Sequence, residues 1–306
     1  MRSQRRPHVA LRRMAVTRMH VVTEVAQLTV NGLMSGAILA VPAIAFTLIF
    51  AVLQISNFSV AAHIAIGAYA GFVANNLLGL PAAIATIAAF VISGAIGVVS
   101  DHVGLKPLRS YGPLVVAIAS IALNMVLENV IRFTFGNNVY GLDIPVYRDW
   151  IFGPIHVAPQ QFYNFVIAAV AMVALFCLLA FTSVGKAMRA VADNPDLANI
   201  KGINPEQIAR LTVFIGMGLA GVGGVLIALD AAIEPTIGFR VILSVFAAAV
   251  LGGLGNIPGA VVGALIIGVA EELSLLALPV AYRSAVGFVA IILTLLFLPR
   301  GILGKT

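Results

Sequence analysis

Residues 165–181 read FVIAAVAMVALFCLLAF, an unbroken apolar run without a charged side chain, an amide or a hydroxyl group. It lies inside a longer stretch, from Asp149 to Lys186, that has no internal Asp, Glu, Lys or Arg. A helix needs about 20 apolar residues to cross the hydrocarbon core of a bilayer. Strands of a membrane barrel would instead alternate apolar and polar side chains. The run therefore predicts a membrane-spanning α-helix.

The rest of the chain has the same character. Its 306 residues are 61% hydrophobic and 10% charged, whereas about 25% charged residues is usual in soluble domains. The mean hydropathy is +1.06. Two further stretches lack charged residues, between Glu24 and Asp101 and between Arg240 and Glu271. Since helices satisfy their own backbone hydrogen bonds in lipid, we predict an all-α, polytopic transmembrane bundle of about eight spans. One glycine-rich pair of spans is predicted to be broken or re-entrant at residues 255–259.

The charged residues indicate how the chain is divided. The net charge is +6, and basic residues lie at the chain ends and between apolar runs. This is the positive-inside arrangement of membrane proteins, so nucleic-acid binding is excluded as a function. We predict a basic N-terminal arm over residues 1–27 and a transmembrane domain over residues 28–304. Two orientations remain open. Three spans precede a basic connection at Lys106 and Arg109, which places the N-terminus outside, whereas six arginines in residues 1–18 favour the inside.

The connection over residues 185–210 is the most informative charged segment. Asn194 followed by Pro195 has the residue types that start a helix, an N-cap and a proline at the first position. Gly202 is suited to end that helix, because glycine readily adopts the left-handed conformation beyond a C-terminus. The pattern predicts a short surface helix that fits a groove on a cytoplasmic partner. The alternative is a solvated connecting loop.

Several motifs resemble those of a known family. Residues 196–202 resemble the Glu-Ala-Ala-x-x-x-Gly motif of ABC importer permeases, with Asp196, Ala198 and Gly202 at the matching positions. Residues 247–260 read AAAVLGGLGNIPGA and residues 299–304 read PRGILG, and both resemble the branched-chain amino acid permease family of ABC importers. By this resemblance, the candidate residues for coupling to an ATPase are Gly185, Arg189, Asp193, Asn194, Asp196, Ala198, Gly202 and Asn204.

The resemblance implies a function and a set of partners. The chain would be the permease subunit of an importer for branched-chain or related amino acids in the bacterial inner membrane. It would pair with a second permease subunit, two cytoplasmic ATPase subunits and a periplasmic or extracellular substrate-binding protein. It would not itself be an enzyme and would need no cofactor, since ATP is used by the partner subunits. One departure concerns the substrate, because the family's His and Glu after Asn57-Phe58 are replaced by Val60 and Ala62.

Polar residues within the apolar runs are candidates for lining a pathway. Buried polar groups in membranes often serve transport, but they also join helices to one another. The candidates are Asn31, Asn57, Asn124, Glu128 and Glu271. Glu128 also fits a structural pair with Arg132 four residues later, and His63 fits a packing role. No metal site is predicted. The alternative functions are an ion-coupled secondary transporter that acts alone and an ABC permease for urea or amides.

Overall fold

The computed structural model describes residues 7–143, 148–152 and 155–304, so the first six residues of the predicted basic arm lie outside the described residues. Eleven α-helices and one small hairpin follow one another in these residues. The helices are α1 (Pro7–Leu53), α2 (Val60–Phe72), α3 (Ala82–Ser100), α4 (Pro113–Phe135), α5 (Pro159–Phe181), α6 (Ser183–Asp193), α7 (Pro195–Ile200), α8 (Pro205–Asp230), α9 (Ile237–Gly252), α10 (Ile257–Ser274) and α11 (Arg283–Phe297). The strands β1 (Trp150–Phe152) and β2 (Ile155–Val157) are antiparallel.

The predicted all-α membrane bundle is confirmed. Within the described residues, seven helical segments are long and apolar enough to cross a membrane. They are Thr23–Leu53, Val60–Leu77, Ala82–Tyr111, Pro113–Phe135, Pro159–Phe181, Pro205–Asp230 and Ile257–Ser274. The second and third include π-helical turns that extend α2 and α3. Two shorter apolar helices, α9 and α11, accompany them.

The centre of the bundle is built from α1, α2 and α8, the most buried of the seven segments, and α10 packs along α1. Small residues let their backbones meet, as is usual where membrane helices pack closely. Gly67 of α2 lies directly against the backbone of Gly221 in α8. A Cβ atom on Gly36 of α1 would stand 2.9 Å from the Cα atom of Leu265 in α10. Neither position has room for a side chain, so glycine fixes the distance between these helices.

Long-range contacts define the two ends of the bundle. At one end, called here the α7 end, Lys106 forms an ion pair with Glu206, and Asn256 donates a hydrogen bond to the carbonyl of Leu303. At the opposite end, called the hairpin end, Gln27 exchanges hydrogen bonds of 2.7 and 2.8 Å with the backbone of His156. The first span therefore begins at the end opposite to α7.

The glycine-rich pair is a tight hairpin of α9 and α10. The backbones of Gly252 and Gly259 are in contact beside the turn. Asn256 caps α10 by accepting a hydrogen bond of 3.1 Å from the amide of Gly259. The two glycines bring the helices together where the chain reverses, and the asparagine satisfies a free amide at the new helix start.

The chain between α8 and α9 turns back into the bundle. After Asp230, the backbone of Ile233 pairs with that of Tyr140. The ring of Tyr140 lies 4.7 Å, centroid to centroid, from that of Phe72 near the end of α2. Gly238 then lies against the carbonyl of Ala61, in the first turn of α2. The connection thus runs back along α2, and α9 begins level with the first turn of α2, inside the bundle.

Candidate functional site: the connection between α5 and α8

Three side-chain caps shape the connection between α5 and α8. Thr182 accepts a hydrogen bond of 3.1 Å from the amide of Gly185 at the start of α6. Asn194 accepts one of 2.9 Å from the amide of Leu197 at the start of α7. Asn204 accepts bonds of 3.0 and 3.3 Å from the first turn of α8. Each cap satisfies amides that a helix start leaves without a partner, so the helix predicted after Asn194 is confirmed.

The end of α7 is closed by a Schellman motif. Gly202 has a φ of +85°. Its amide donates to the carbonyl of Asn199, and the amide of Ile203 donates to that of Ala198, both at 3.0 Å. These are the two bonds of that motif. Ala198 is 4% exposed. The alanine and glycine that match the Glu-Ala-Ala-x-x-x-Gly pattern are therefore a small buried residue and a left-handed glycine.

The exposed side of α7 is apolar in part. Leu197 is 53% exposed and Ile200 is 81% exposed. Residues three apart lie on one face of a helix, so the two side chains form a small apolar patch at the α7 end. Asp196 is exposed in the first turn of α7, where a negative charge interacts favourably with the helix dipole.

Helix α6 fixes this patch to the membrane spans. Met188 and Val191 are 1% and 5% exposed. Gly185 packs against the backbone of Leu179 at the end of α5, and the guanidinium of Arg189 donates to the same residue's carbonyl. Asp193 is exposed at the end of α6. A cavity of about 590 Å³ lies between α6, the end of α1 and the α9–α10 turn.

A second attachment ties the start of α8 to the connection between α3 and α4. Glu206 pairs with Lys106 and, at 2.7 Å, with Arg210. Within the other connection, Arg109 binds both carboxylate oxygens of Asp101 at 2.6 Å. The ion pair of Lys106 and Glu206 therefore joins the two connections into one surface at the α7 end.

The five predicted pathway residues lie apart from this surface. Asn31 accepts a hydrogen bond of 3.0 Å from Gln27, and Asn57 accepts bonds from the amide and hydroxyl of Ser59. Glu128 pairs with Arg132 at 2.6 Å, as the spacing predicts. Among the described residues, no hydrogen bond or ion pair joins any two of the five. Their role in lining a pathway stays a prediction.

Three of these residues, Asn57, Asn124 and Glu271, are buried in the bundle. Asn124 is 4% exposed, and its carbonyl oxygen has no hydrogen-bond partner within the described residues. Glu271 is also 4% exposed and accepts a hydrogen bond from the hydroxyl of Ser244. His63 is fully buried, with its Nδ1 2.9 Å from the carbonyl of Ser59. The packing role predicted for His63 agrees with this environment.

Sequence reasoning missed an ion pair at the start of α9. Arg240 and Glu234 pair at 2.6 Å, and their side chains are 60% and 31% exposed. The sequence feature that could have indicated the pair is an acidic and a basic residue six positions apart, just before the apolar run that begins at residue 241. Arg283, at the start of α11, was also missed; it pairs with Glu272 at 2.6 Å and with Glu271 at 3.5 Å.

Comparison with known proteins gives a consistent set of relatives. The family model described as the permease component of branched-chain amino acid transport systems matches residues 28–296. The high-affinity branched-chain amino acid transport system permease protein LivH of Salmonella typhimurium is 34% identical over 289 residues, which are 90% of this chain and 94% of LivH. The corresponding protein BraD of Pseudomonas aeruginosa is 32% identical over 91% of this chain and 95% of BraD. The ribose import permease protein RbsC of Escherichia coli is 27% identical over 75% of this chain and 73% of RbsC.

Proposed function

The chain belongs to the branched-chain amino acid transport system permease family, and we propose that it forms one half of the translocation pathway of an ABC importer driven by separate ATPase subunits. The chain is a multi-pass membrane protein. Its partners are a second permease subunit, two cytoplasmic ATPase subunits and a substrate-binding protein on the other side of the bacterial inner membrane. ATP is bound and hydrolysed by the ATPase subunits, and this chain needs no cofactor.

The observation that carries the proposal is the exposed apolar patch of Leu197 and Ile200 on α7. An exposed apolar patch with a polar rim is typical of a protein interaction site. The rim here consists of exposed polar residues of the same segment, among them Asp193, Asn194 and Asp196. The patch lies at the end of the bundle, where a cytoplasmic ATPase subunit would receive it in a groove.

The attachments of α7 explain how ATPase movement reaches the pathway. Asn194 and Asn204 cap the helices on both sides of the turn, so α7 passes into α8 through only four residues, Lys201–Asn204. In α8, 89% of the most apolar 18-residue stretch is buried among the other helices. A displacement of α7 therefore acts directly on a central helix, and the packed bundle transmits it because packed cores change between discrete arrangements.

The proposed substrates are branched-chain or related amino acids. LivH and BraD carry this substrate in their names. Val60 and Ala62 replace polar residues of the family pattern and are 0% and 2% exposed. The departure therefore changes the packing between α2 and its neighbouring helices. The alternative substrates are urea and other amides, and competition with labelled leucine uptake separates the two classes.

The test disrupts the patch while keeping the helix. We expect Leu197→Asp with Ile200→Asp to abolish ATP-driven leucine uptake and to reduce recovery of ATPase subunits with the tagged chain. Placing two charges in an apolar contact costs several kcal/mol in total, which is about a 100-fold or larger loss of affinity. The matched control is Asn199→Ala, an exposed change beside the patch. Normal uptake and normal ATPase recovery by the double variant would contradict ATPase docking at α7.

A further inference from the structure

The ion pair of Arg240 and Glu234 lies where lipid would exclude it. Glu234 follows Ile233, which is paired with Tyr140 beside Phe72, and Gly238 lies against Ala61. The pair is therefore level with the span of α2. Charged side chains at membrane depth face the protein interior or a water-filled cavity, because their burial in hydrocarbon is costly. Both side chains are open on the surface of this chain, so they face water or another protein subunit.

We propose that Glu234 and Arg240 line the translocation pathway and bind the ammonium and carboxylate groups of a zwitterionic amino acid. This inference rests on the proposed function. A guanidinium binds a carboxylate through two parallel N–H donors, and a carboxylate accepts hydrogen bonds from an ammonium group. A substrate that enters between the two side chains exchanges one ion pair for two, so no charge is left without a partner.

The start of α9 supports this orientation of the substrate. Arg240 lies in the first turn of α9, which begins at Ile237. A helix N-terminus carries a partial positive charge, and interrupted membrane helices present such ends to anionic substrate groups. The substrate carboxylate would meet Arg240 and the helix start together, whereas its ammonium group would meet Glu234.

Arg283, at the start of α11, differs from Arg240 in the groups that it binds. Arg283 is already bound to two buried carboxylates, those of Glu271 and Glu272. It therefore serves to hold α11 against α10. The ring of Tyr69 lies 6.2 Å, centroid to centroid, from that of Tyr140 beside the same turn, and the buried hydroxyl of Tyr69 has no hydrogen-bond partner within the described residues.

The experiment uses the whole complex in proteoliposomes, with leucine as the probe. The two readouts are leucine uptake and ATP hydrolysis stimulated by the leucine-loaded binding protein. For Arg240→Gln and for Glu234→Gln, we expect uptake to fall about tenfold or more, the usual effect of losing a charged hydrogen bond. Stimulated ATP hydrolysis stays near the wild-type rate, so fewer leucine molecules are moved per ATP.

A double variant separates substrate binding from a structural role. Replacing a structural ion pair by apolar residues of similar size is often tolerated. Glu234→Met with Arg240→Met would therefore transport leucine normally if the pair only held the fold. We expect it to assemble and hydrolyse ATP but to transport as poorly as the single variants. The control is Asn129→Ala on the exposed side of α4, which should transport like the wild type.

Two results would overturn the inference. One is normal uptake by the double methionine variant. The other is loss of the second permease subunit from the purified single variants, which would assign the pair to the subunit interface. Failure of the proposed function is recognised separately in the wild type: ATPase subunits would not be recovered with the chain, or the assembled complex would hydrolyse ATP without taking up leucine.

Discussion

Helices α5 and α8 are similar in sequence character and opposite in environment. The most apolar 18 residues of α5 and of α8 have mean hydropathies of 2.6 and 2.1. Yet only 17% of that stretch is buried in α5, whereas 89% is buried in α8. Hydropathy alone therefore does not distinguish a span that faces outward from one that lies in the centre. Glycine does so here. Helix α8 contains five glycines, at positions 216, 218, 221, 223 and 224, whereas residues 159–181 of α5 contain none.

The connection that carries α7 joins these two helices. It leaves the exposed helix α5 and enters the central helix α8, so an ATPase subunit that binds α7, as we propose, would act on the interior of the bundle. The comparison predicts that substitutions in α8 damage the whole fold, that those in the connection damage coupling, and that those on α5 have little effect.

The largest effect is expected for Gly221→Leu in α8. A Cβ atom at this position would stand 2.5 Å from the Cβ atom of Ser93 and 2.8 Å from the carbonyl of Ala89. Overpacking a tight core costs about 3 kcal/mol or more, so we expect loss of monodisperse protein in detergent and a lower thermal unfolding temperature. The matched change on α5 is Val170→Leu, at a side chain that is 62% exposed. Equal damage by the two substitutions would contradict the distinction between the helices.

A smaller effect is expected for Gly202→Val between α7 and α8. The φ of +85° costs a β-branched residue about 1–2 kcal/mol. No atom lies within 4 Å of a Cβ atom built there, so strain in the backbone is the only penalty. We expect normal folding but several-fold slower ATP-driven uptake. Gly202→Asn is the control, because asparagine tolerates the left-handed conformation; impaired uptake in both variants would indicate that backbone strain is not the cause.

Local features of the molecule could be predicted from its sequence. The caps at Asn194 and Gly202 depend on residues within one turn of the chain, so their residue types sufficed. The ion pair of Glu128 and Arg132 depends on helical spacing alone. The apolar runs gave the spans to within several residues, since a span needs only length and low polarity.

Features that depend on distant contacts could not be predicted. The sequence left two orientations of α1 open, and the hydrogen bonds that distinguish them join Gln27 and His156, which are 129 residues apart. The turn back into the bundle after α8 depends on Ile233 pairing with Tyr140. For the same reason the exposed pair of Glu234 and Arg240 was missed, since its position relative to the membrane follows from that turn.

We expect this chain to transport only as part of an ATP-driven complex. The first measurement compares liposomes that contain the purified chain alone with liposomes that contain the chain and its partner subunits. Leucine uptake is measured with and without ATP, which is supplied on the side of the membrane that carries the ATPase subunits. We expect leucine uptake only when the ATPase subunits, the binding protein and ATP are all present. Uptake by the chain alone, driven by an ion gradient and independent of ATP, would contradict the role as an ABC permease and support a secondary transporter.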